Sequence, residues 1–242
     1  MVIRSWNLFH GNTVPAGRRA YLREMIELIS AGRPDVVCLQ EVPAWALGRL
    51  GGWAGMTEVS VLARSPSVGP FRIPAGLGRV MTAPHHGLIR SAFAGQGNAI
   101  LIAPAFSVVW TANTKIDDGA PGREPRVAQS VDLESPDAPG LVVTNVHCTN
   151  SPDPRVCDAE LESALRGLRP TPVRVIAGDF NVTPERSAVV RTLGSTPIPG
   201  SIDQIIVQPA ASAESRVWSD AEREYAGRLL SDHAPVELTV DL

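Results

Sequence analysis

The sequence predicts an α/β protein made of two packed sheets flanked by helices. Three observations predict it. Short apolar runs of strand length recur along the chain, punctuated by 21 glycines and 21 prolines. Two stretches repeat their apolar residues at helical spacing instead. The last run, Pro235–Leu242, alternates Val236, Leu238 and Val240 with Glu237, Thr239 and Asp241, the pattern of a sheet with one buried and one exposed face. At 242 residues and 25.8 kDa the chain suits one large domain or two small ones. A chain of this size buries roughly 70–75 % of its unfolded surface and needs no staples. It contains no internal repeat, low-complexity tract or linker, so residues 1–242 read as one domain.

Val2–Leu8 and Asp35–Gln40 are continuous apolar runs and read as buried strands. Between them Tyr21/Leu22, Met25/Ile26 and Leu28/Ile29 form one apolar stripe, a helix stopped by Gly32 and Pro34. Residues 48–97 are rich in Gly and Pro and read as loops with short helices. Asn98–Ala103 and Ser107–Thr111 read as a hairpin pair, and Val127–Leu133 and Leu141–His147 as further strands. Asp153-Pro154 is an N-cap followed by proline at the first helical position. The helix it starts carries Cys157, Leu161, Leu165 and Leu168 on one face. Pro172–Ala177 is a strand, Thr183-Pro184 starts a short helix that Gly194 ends, and Ile202–Val207 is a strand.

Lys+Arg is 22 and Asp+Glu is 25, a net charge of -3. That balance argues against a protein that grips DNA with a strongly basic face. Only Lys115 among the basic side chains is a lysine. The N-terminus has no basic segment followed by an apolar core, so no secretory signal is expected, and no apolar run nears the ~20 residues of a membrane span. The odd number of cysteines, Cys38, Cys148 and Cys157, fits reduced thiols in a cytoplasm. Cys38 lies inside an apolar run and reads as core. Cys148 and Cys157 are near enough in sequence to pair across a short loop.

Costly polar residues stand at the ends of these strands. Asn7 closes the first and Gln40-Glu41 the second. His147 closes Leu141–Val146, and Gly178-Asp179-Phe180-Asn181 closes Val173–Ala177. Asp203 opens Ile202–Val207, and Ser231-Asp232-His233 precedes the final strand. Each piece alone has a bland reading as a solvated strand end, turn or cap. Strand ends in a layered sheet protein share a rim, however, where side chains can converge on rigid supports. Six such pieces supply hard oxygen donors, two histidines and three amides, a set suited to holding Mg²⁺ and moving protons around a phosphate.

The ordered set Ser5-Trp6-Asn7, Leu39-Gln40-Glu41-Val42, Gly97-Asn98-Ala99-Ile100-Leu101, Thr144-Asn145-Val146-His147, Gly178-Asp179-Phe180-Asn181, Ile202-Asp203 and Ser231-Asp232-His233 resembles the endonuclease/exonuclease/phosphatase superfamily, with its pancreatic-deoxyribonuclease-like fold. The resemblance runs from residue 3 to 239. It implies a four-layered α/β sandwich of two mostly antiparallel sheets and a Mg²⁺-dependent phosphoesterase, with Mn²⁺ as a possible substitute. It implies Glu41, Asn7 and Asp232 as the metal set. His233 would be general base or would polarise the nucleophile, with Asp203 fixing its tautomer. Asp179 would orient the attacking water, Asn181 would donate to a phosphate oxygen, and His147 would stabilise developing charge or protonate the leaving oxygen. Arg126 stands where relatives often carry a basic residue that binds substrate. His147 resembles the deoxyribonuclease, sphingomyelinase and inositol-phosphatase branches, whereas base-excision endonucleases carry Tyr and Asn there. In the deoxyribonuclease branch a second carboxylate orients this histidine, and the sequence does not locate it. Pro84-His85-His86-Gly87 reads either as branch-specific contacts or as a loop without a chemical role.

Three functions compete. The first is a phosphodiesterase of nucleic acid, endonuclease-like. The second acts on inositol phosphates or sphingomyelin-like head groups, favoured by His147 and by the lack of basic runs beyond Arg18-Arg19. The third is an inactive binding module, disfavoured because Glu41, Asp179, Asp203 and His233 are all present. A monomer is expected. Setting aside the four assigned carboxylates, Glu41, Asp179, Asp203 and Asp232, leaves 21 acidic against 22 basic residues. The remaining surface is near neutral, which suits an enzyme that touches a phosphate chain briefly.

Overall fold

A computed structural model of the chain describes residues 1–69, 71–86, 93–117, 124–136, 138–166, 168–193, 197–209 and 212–241. Two large sheets face each other. The first contains β1 (Val2–Asn7), β3 (Val36–Val42), β4 (Thr57–Arg64), β7 (Gln96–Ile102), β13 (Ser212–Val217) and β16 (Val236–Asp241), in the order β13-β16-β1-β3-β7-β4. The second contains β8 (Ser107–Lys115), β9 (Val127–Ser135), β10 (Ala138–His147), β11 (Val173–Asp179) and β12 (Asp203–Gln208), in the order β12-β11-β10-β9-β8. Only β1·β3 and β10·β11 are parallel pairs in these two sheets. Two small ribbons join β14 (Glu224–Tyr225) and β15 (Arg228–Leu230) to β2 (Thr13–Val14), and β5 (Ser67–Val68) to β6 (Phe71–Arg72).

Three apolar layers explain the stacking. Ile3, Val36, Cys38, Ile100 and Leu238 of the first sheet meet Val131, Val143, Val175 and Val207 of the second in the central core. On the outer face of the first sheet, α1 (Leu22–Ser30) and α2 (Leu50–Ala54) lay Leu22, Met25, Ile26, Ile29 and Leu50 over Trp6, Val37, Leu39 and Leu101. On the outer face of the second, α4 (Pro154–Arg166) and α5 (Ala188–Leu193) lay Leu161, Ala164 and Val190 over Val146, Ile176 and Ile206. The result is the expected four-layered sandwich. Successive strand residues point to opposite faces, so each central strand carries apolar side chains on both. Among the described residues no helix is long and apolar enough to cross a membrane.

The expected elements stand with some corrections. The stripe of α1 is buried as its spacing predicts, and it ends before Gly32 at φ +73°. Asp153 caps α4 by accepting the Arg155 N–H at 3.1 Å. Leu168 lies beyond that helix, so only Cys157, Leu161 and Leu165 of the expected face line it. The expected hairpin of Asn98–Ala103 and Ser107–Thr111 is not one. β7 pairs with β3 and β4, whereas β8 pairs with β9 in the other sheet. β7 is buried on both faces and needs a central place, which a two-stranded ribbon does not offer. Residues 48–97, read as loops with short helices, also hold the edge strand β4, the β5·β6 ribbon and α3 (Ala75–Thr82). β4 is half-exposed along its length and so lacks the continuous apolar run of a buried strand. Thr183-Pro184 opens a turn, not a helix; α5 starts at Ala188, capped by Ser187 Oγ accepting the Val190 N–H at 3.0 Å. Gly194, the expected stop, lies outside the described residues.

One polar connection joins the sheets inside the core. The β3·β7 ladder runs from Val36 to Leu39 and then shifts register before Val42. The Leu39 and Ala99 carbonyls are satisfied from the opposite sheet. The Asn145 side-chain amide on β10 donates to both, at 2.9 and 3.0 Å, while its oxygen accepts from Gln40 Nε2 at 2.7 Å. Gln40 Nε2 also reaches Ser5 Oγ at 3.1 Å. All three side chains are fully buried. Asn145→Leu removes the donor and strands two carbonyls and an amide at about 1–3 kcal/mol per group. It is expected to lower stability by about 3 kcal/mol or more, read as a fall in the urea midpoint. A midpoint equal to that of the parent would remove this connection from the account.

All three cysteines are free and buried, so the option of a Cys148–Cys157 disulfide is not realised. Cys157 instead donates to the Thr149 carbonyl at 3.2 Å. Burial pushes all three thiols up, Cys157 to about 11, which suppresses the reactive thiolate at neutral pH. The native protein should therefore be silent to a thiol-titrating reagent. After denaturation without reductant it should show three thiols per chain; a count of one would reveal a disulfide.

Candidate functional site

The rim where β1, β3, β10, β11 and β12 end gathers most of the polar residues that the sequence singles out. Asn7 ends β1 and is almost wholly buried; its Nδ2 donates to Asp179 Oδ2 at 3.0 Å and its Oδ1 accepts the Phe9 N–H at 3.0 Å. Asp179 ends β11 and takes the Asn181 backbone N–H on its other oxygen at 2.9 Å. Gly178 is needed just before it. Its φ is +143°, and a Cβ there would stand 1.9 Å from the Val146 carbonyl of β10, so β10 and β11 meet too closely for any side chain. This position puts Asp179 beside His147, the last residue of β10.

Glu41 follows the register shift of β3 in left-handed backbone, φ +51°. A non-glycine residue held there stores strain of order 1–3 kcal/mol, a feature that clusters at functional sites. Its Oε2 lies 3.3 Å from His10 Nε2 and its Oε1 3.8 Å from His147 Nε2. Burial raises its pKa, with Asp232 adding to the rise, against a lowering hydrogen bond from Asn7. Asp232 itself is exposed, with Oδ1 3.5 Å from Ser231 Oγ.

Asp203 opens β12 and lies opposite Asp179 in the β11·β12 pair. It is buried, and its Oδ2 stands 2.8 Å from His233 Nδ1, while its Oδ1 has no partner. His233 Nε2 is 3.9 Å from Asp179 Oδ2. Burial lowers the pKa of His233, but the Asp203 bond and the charges of Asp203, Asp179 and Asp232 outweigh it and lift the value to about 9. That differs from the neutral histidine the sequence reading expects. Burial, with Asp203 next, also lifts Asp179 to about 7.

Arg126 is the clearest gain over the sequence reading. It is buried, and its Nη1 lies 2.9 Å from His147 Nδ1. Burial first, then the Arg126 charge, holds His147 well below the usual range, so the ring is neutral and accepts from the guanidinium. No carboxylate is within hydrogen-bond reach of His147 among the described residues; Asp179 at 3.6 Å and Glu41 at 3.8 Å are the near ones. Asn181 donates its Nδ2 to the Cys148 carbonyl at 2.9 Å, which spends one of its two N–H groups inside the protein.

Two contributors escape the sequence reading. His10 beside Glu41 stands three residues beyond Asn7, a spacing that is its only signal. Arg223 is buried and donates Nη1 to the carbonyls of Ser231 at 2.9 Å, Leu230 at 3.3 Å and His233 at 3.4 Å. It holds the loop that carries Asp232 and His233, as does Trp6, whose Nε1 donates to the His233 carbonyl at 2.8 Å. All of these acceptors are backbone, which no residue pattern announces. His86, from Pro84-His85-His86-Gly87, is buried against the His10 carbonyl at 2.7 Å; Gly87 lies outside the described residues.

Two donor groups fit a divalent cation. Asp179, Asp203 and His233 bring three ligand atoms within 4.8 Å of one another. Their lone pairs are largely used: His233 Nδ1 by Asp203, and both Asp179 oxygens by Asn7 and Asn181. Glu41 with Asp232 and the Asn7 amide oxygen is the harder, all-oxygen set, which is the kind of site Mg²⁺ or Mn²⁺ accepts.

Comparison with known proteins now bears on this rim. The model of the endonuclease/exonuclease/phosphatase family matches residues 5–233, a span that holds every residue named above as part of the site. The family takes in nucleases and phosphatases, hydrolases of phosphoester bonds that usually use divalent metals. No match is found among curated proteins. Among solved structures, a functionally unknown conserved protein from Enterococcus faecalis V583 is 18 % identical with a TM-score of 0.70, covering 100 % of this chain and 99 % of its own. An endonuclease/exonuclease/phosphatase from Beutenbergia cavernae DSM 12333 is 17 % identical with a TM-score of 0.72, covering 100 % and 71 %. TDP2 from Caenorhabditis elegans is 14 % identical with a TM-score of 0.67, covering 100 % and 74 %. At such identities these structures show a common fold. With the family model spanning nearly its whole length, the chain belongs to the endonuclease/exonuclease/phosphatase family.

Proposed function

We propose that the protein is a divalent-metal-dependent phosphodiesterase acting on nucleic acid, using Mg²⁺ or Mn²⁺. The observation that carries this reading is the convergence of Asp203–His233, Asp179, Arg126–His147 and Glu41 on one rim. Glu41, Asp232 and Asn7 would hold the cation. A cation bound there supplies Lewis-acid stabilisation of charge on the phosphoryl oxygens. Asp203 holds His233 by Nδ1 and turns Nε2 toward Asp179, so a water bonded to both would be oriented between them and would give its proton to the Asp179 carboxylate, since His233, lifted to about 9, already carries one at neutral pH. The Arg126 guanidinium and the free N–H of Asn181 would position the phosphate, and His147 would meet the charge on the leaving side. Phosphoester cleavage is largely a matter of such positioning and charge stabilisation. Glu41 and His233 are partly exposed and Asp232 is exposed, an open rim that admits a chain as well as a head group. The same reading takes residues 1–242 as one domain, acting as a monomer. Three free thiols support a reducing cytoplasm.

The test is hydrolysis of an aryl phosphodiester, a DNA or RNA oligonucleotide, an inositol phosphate and a phosphocholine diester, with Mg²⁺ or Mn²⁺ and then with chelator. Turnover of the aryl diester and of oligonucleotide, abolished by chelator, is expected. Turnover of head-group esters alone would move the substrate to that class, and turnover of nothing would overturn the enzyme reading. His233→Ala should lower kcat by about 10²–10⁴-fold with an unchanged far-UV spectrum, since the loss is at the chemical step. Glu41→Gln should raise the metal concentration needed for half-maximal rate by at least about tenfold, because it replaces the anionic ligand with a neutral amide. An unmoved metal titration would take Glu41 out of the metal set.

A further inference from the structure

Behind His10 the surface opens into a hollow of about 300 Å³ walled by Arg18, Arg19, Trp45, Thr82, Arg79 and His86, the last bonded to the His10 carbonyl. Two buried histidines link it to the candidate site. Trp45 is four residues beyond Glu41, and His86 on the wall bonds to the carbonyl of His10, whose ring faces Glu41. Trp45 and Arg79 form a partition, and a second hollow of about 560 Å³ on their other side reaches Arg49. The Arg79 guanidinium lies 4.6 Å from the centre of the Trp45 ring.

The charges along this path are uneven. Arg19 is neutralised by Glu24 at 2.5 Å. Arg18, Arg49 and Arg79 are exposed and have no carboxylate partner among the described residues. The indole N–H of Trp45 is buried and has no acceptor among the described residues. Three guanidinium groups without carboxylate partners, spaced around one aromatic partition in two neighbouring hollows, are more than a single head group needs. Single strands bind in this way, their phosphates tracked by arginines and their bases stacked on an aromatic ring or a guanidinium plane.

We infer that this groove binds the strand flanking the scissile phosphate on the Glu41 side, so that the substrate is a single-stranded nucleic acid or an unpaired end. Arg18, Arg79 and Arg49 hold its phosphates, and the Trp45–Arg79 partition stacks a base. The inference rests on the phosphodiesterase reading for its link to chemistry, but the binding it describes does not depend on turnover.

The test uses the whole protein and a fluorescein-labelled oligothymidylate, with anisotropy read in chelator so that nothing is cleaved, across a salt series. The aryl diester is assayed in parallel with metal. Arg79→Ala and Arg18→Ala are surface changes; each should weaken oligonucleotide binding at least about fivefold and flatten the log–log salt slope by about 0.7, one phosphate contact on a single strand. Aryl-diester kcat/KM should stay within about twofold of the parent, as that substrate does not reach the groove. Trp45→Leu should weaken binding without changing the slope. The inference is overturned if the parent does not bind the oligonucleotide, if the variants bind it unchanged, or if their aryl-diester rates fall in parallel. Absent aryl-diester turnover with intact, arginine-dependent binding would sink the phosphodiesterase reading and leave the groove standing.

Discussion

The Asn145 amide is the interaction on which the geometry of the rim depends. It crosses the central core and pairs with the carbonyls of Leu39 and Ala99, next to where the β3·β7 ladder breaks register. Without that donor the break would leave buried carbonyls unpaired, and the strand would be driven back toward a regular ladder. The break sets up the turn that puts Glu41 at φ +51° on the rim. The same side chain, through Gln40, ties β3 to Ser5 of β1, two residues before Asn7. One amide thus couples the spacing of the two sheets to the positions of two of the three residues offered to a cation.

Around that anchor the rim concentrates acid that the fold by itself does not neutralise. Glu41, Asp179 and Asp203 are all raised, burial being the largest cause for each. Counter-charge comes from His233, and from Arg126, which presses on a His147 held neutral. A rim where buried carboxylates crowd together favours whatever brings positive charge to it. The groove behind His10 carries the opposite imbalance, with guanidinium groups that lack carboxylates. A near-neutral chain can therefore attract both a cation and a polyanion, at neighbouring places.

Much of the site was legible because its residues are expensive where they stand. A carboxylate or histidine that closes an apolar strand is easy to see, and Glu41, His147, Asp179 and Asp203 sit at strand ends on one rim, with His233 in the loop before the last strand. The unread parts are of another kind. Arg223 works through backbone carbonyls, and His10 through a left-handed turn at φ +56°. β4 hid because an edge strand needs only one covered face, and the supposed hairpin failed because strands that follow each other in sequence can join different sheets.

By itself the sequence determined the alternation of buried strands and amphipathic helices, the terminal one-faced strand and the order of polar strand ends. These follow from local periodicity and from the cost of placing charge beside apolar runs. Only the tertiary structure decided which ends meet. The Asp203–His233 contact, the Arg126–His147 contact and the meeting of Arg18 and Arg79 with Trp45 join residues distant in sequence. Such distances depend on sheet order, register and a core-crossing amide, which are set by packing between elements and leave no trace in local pattern.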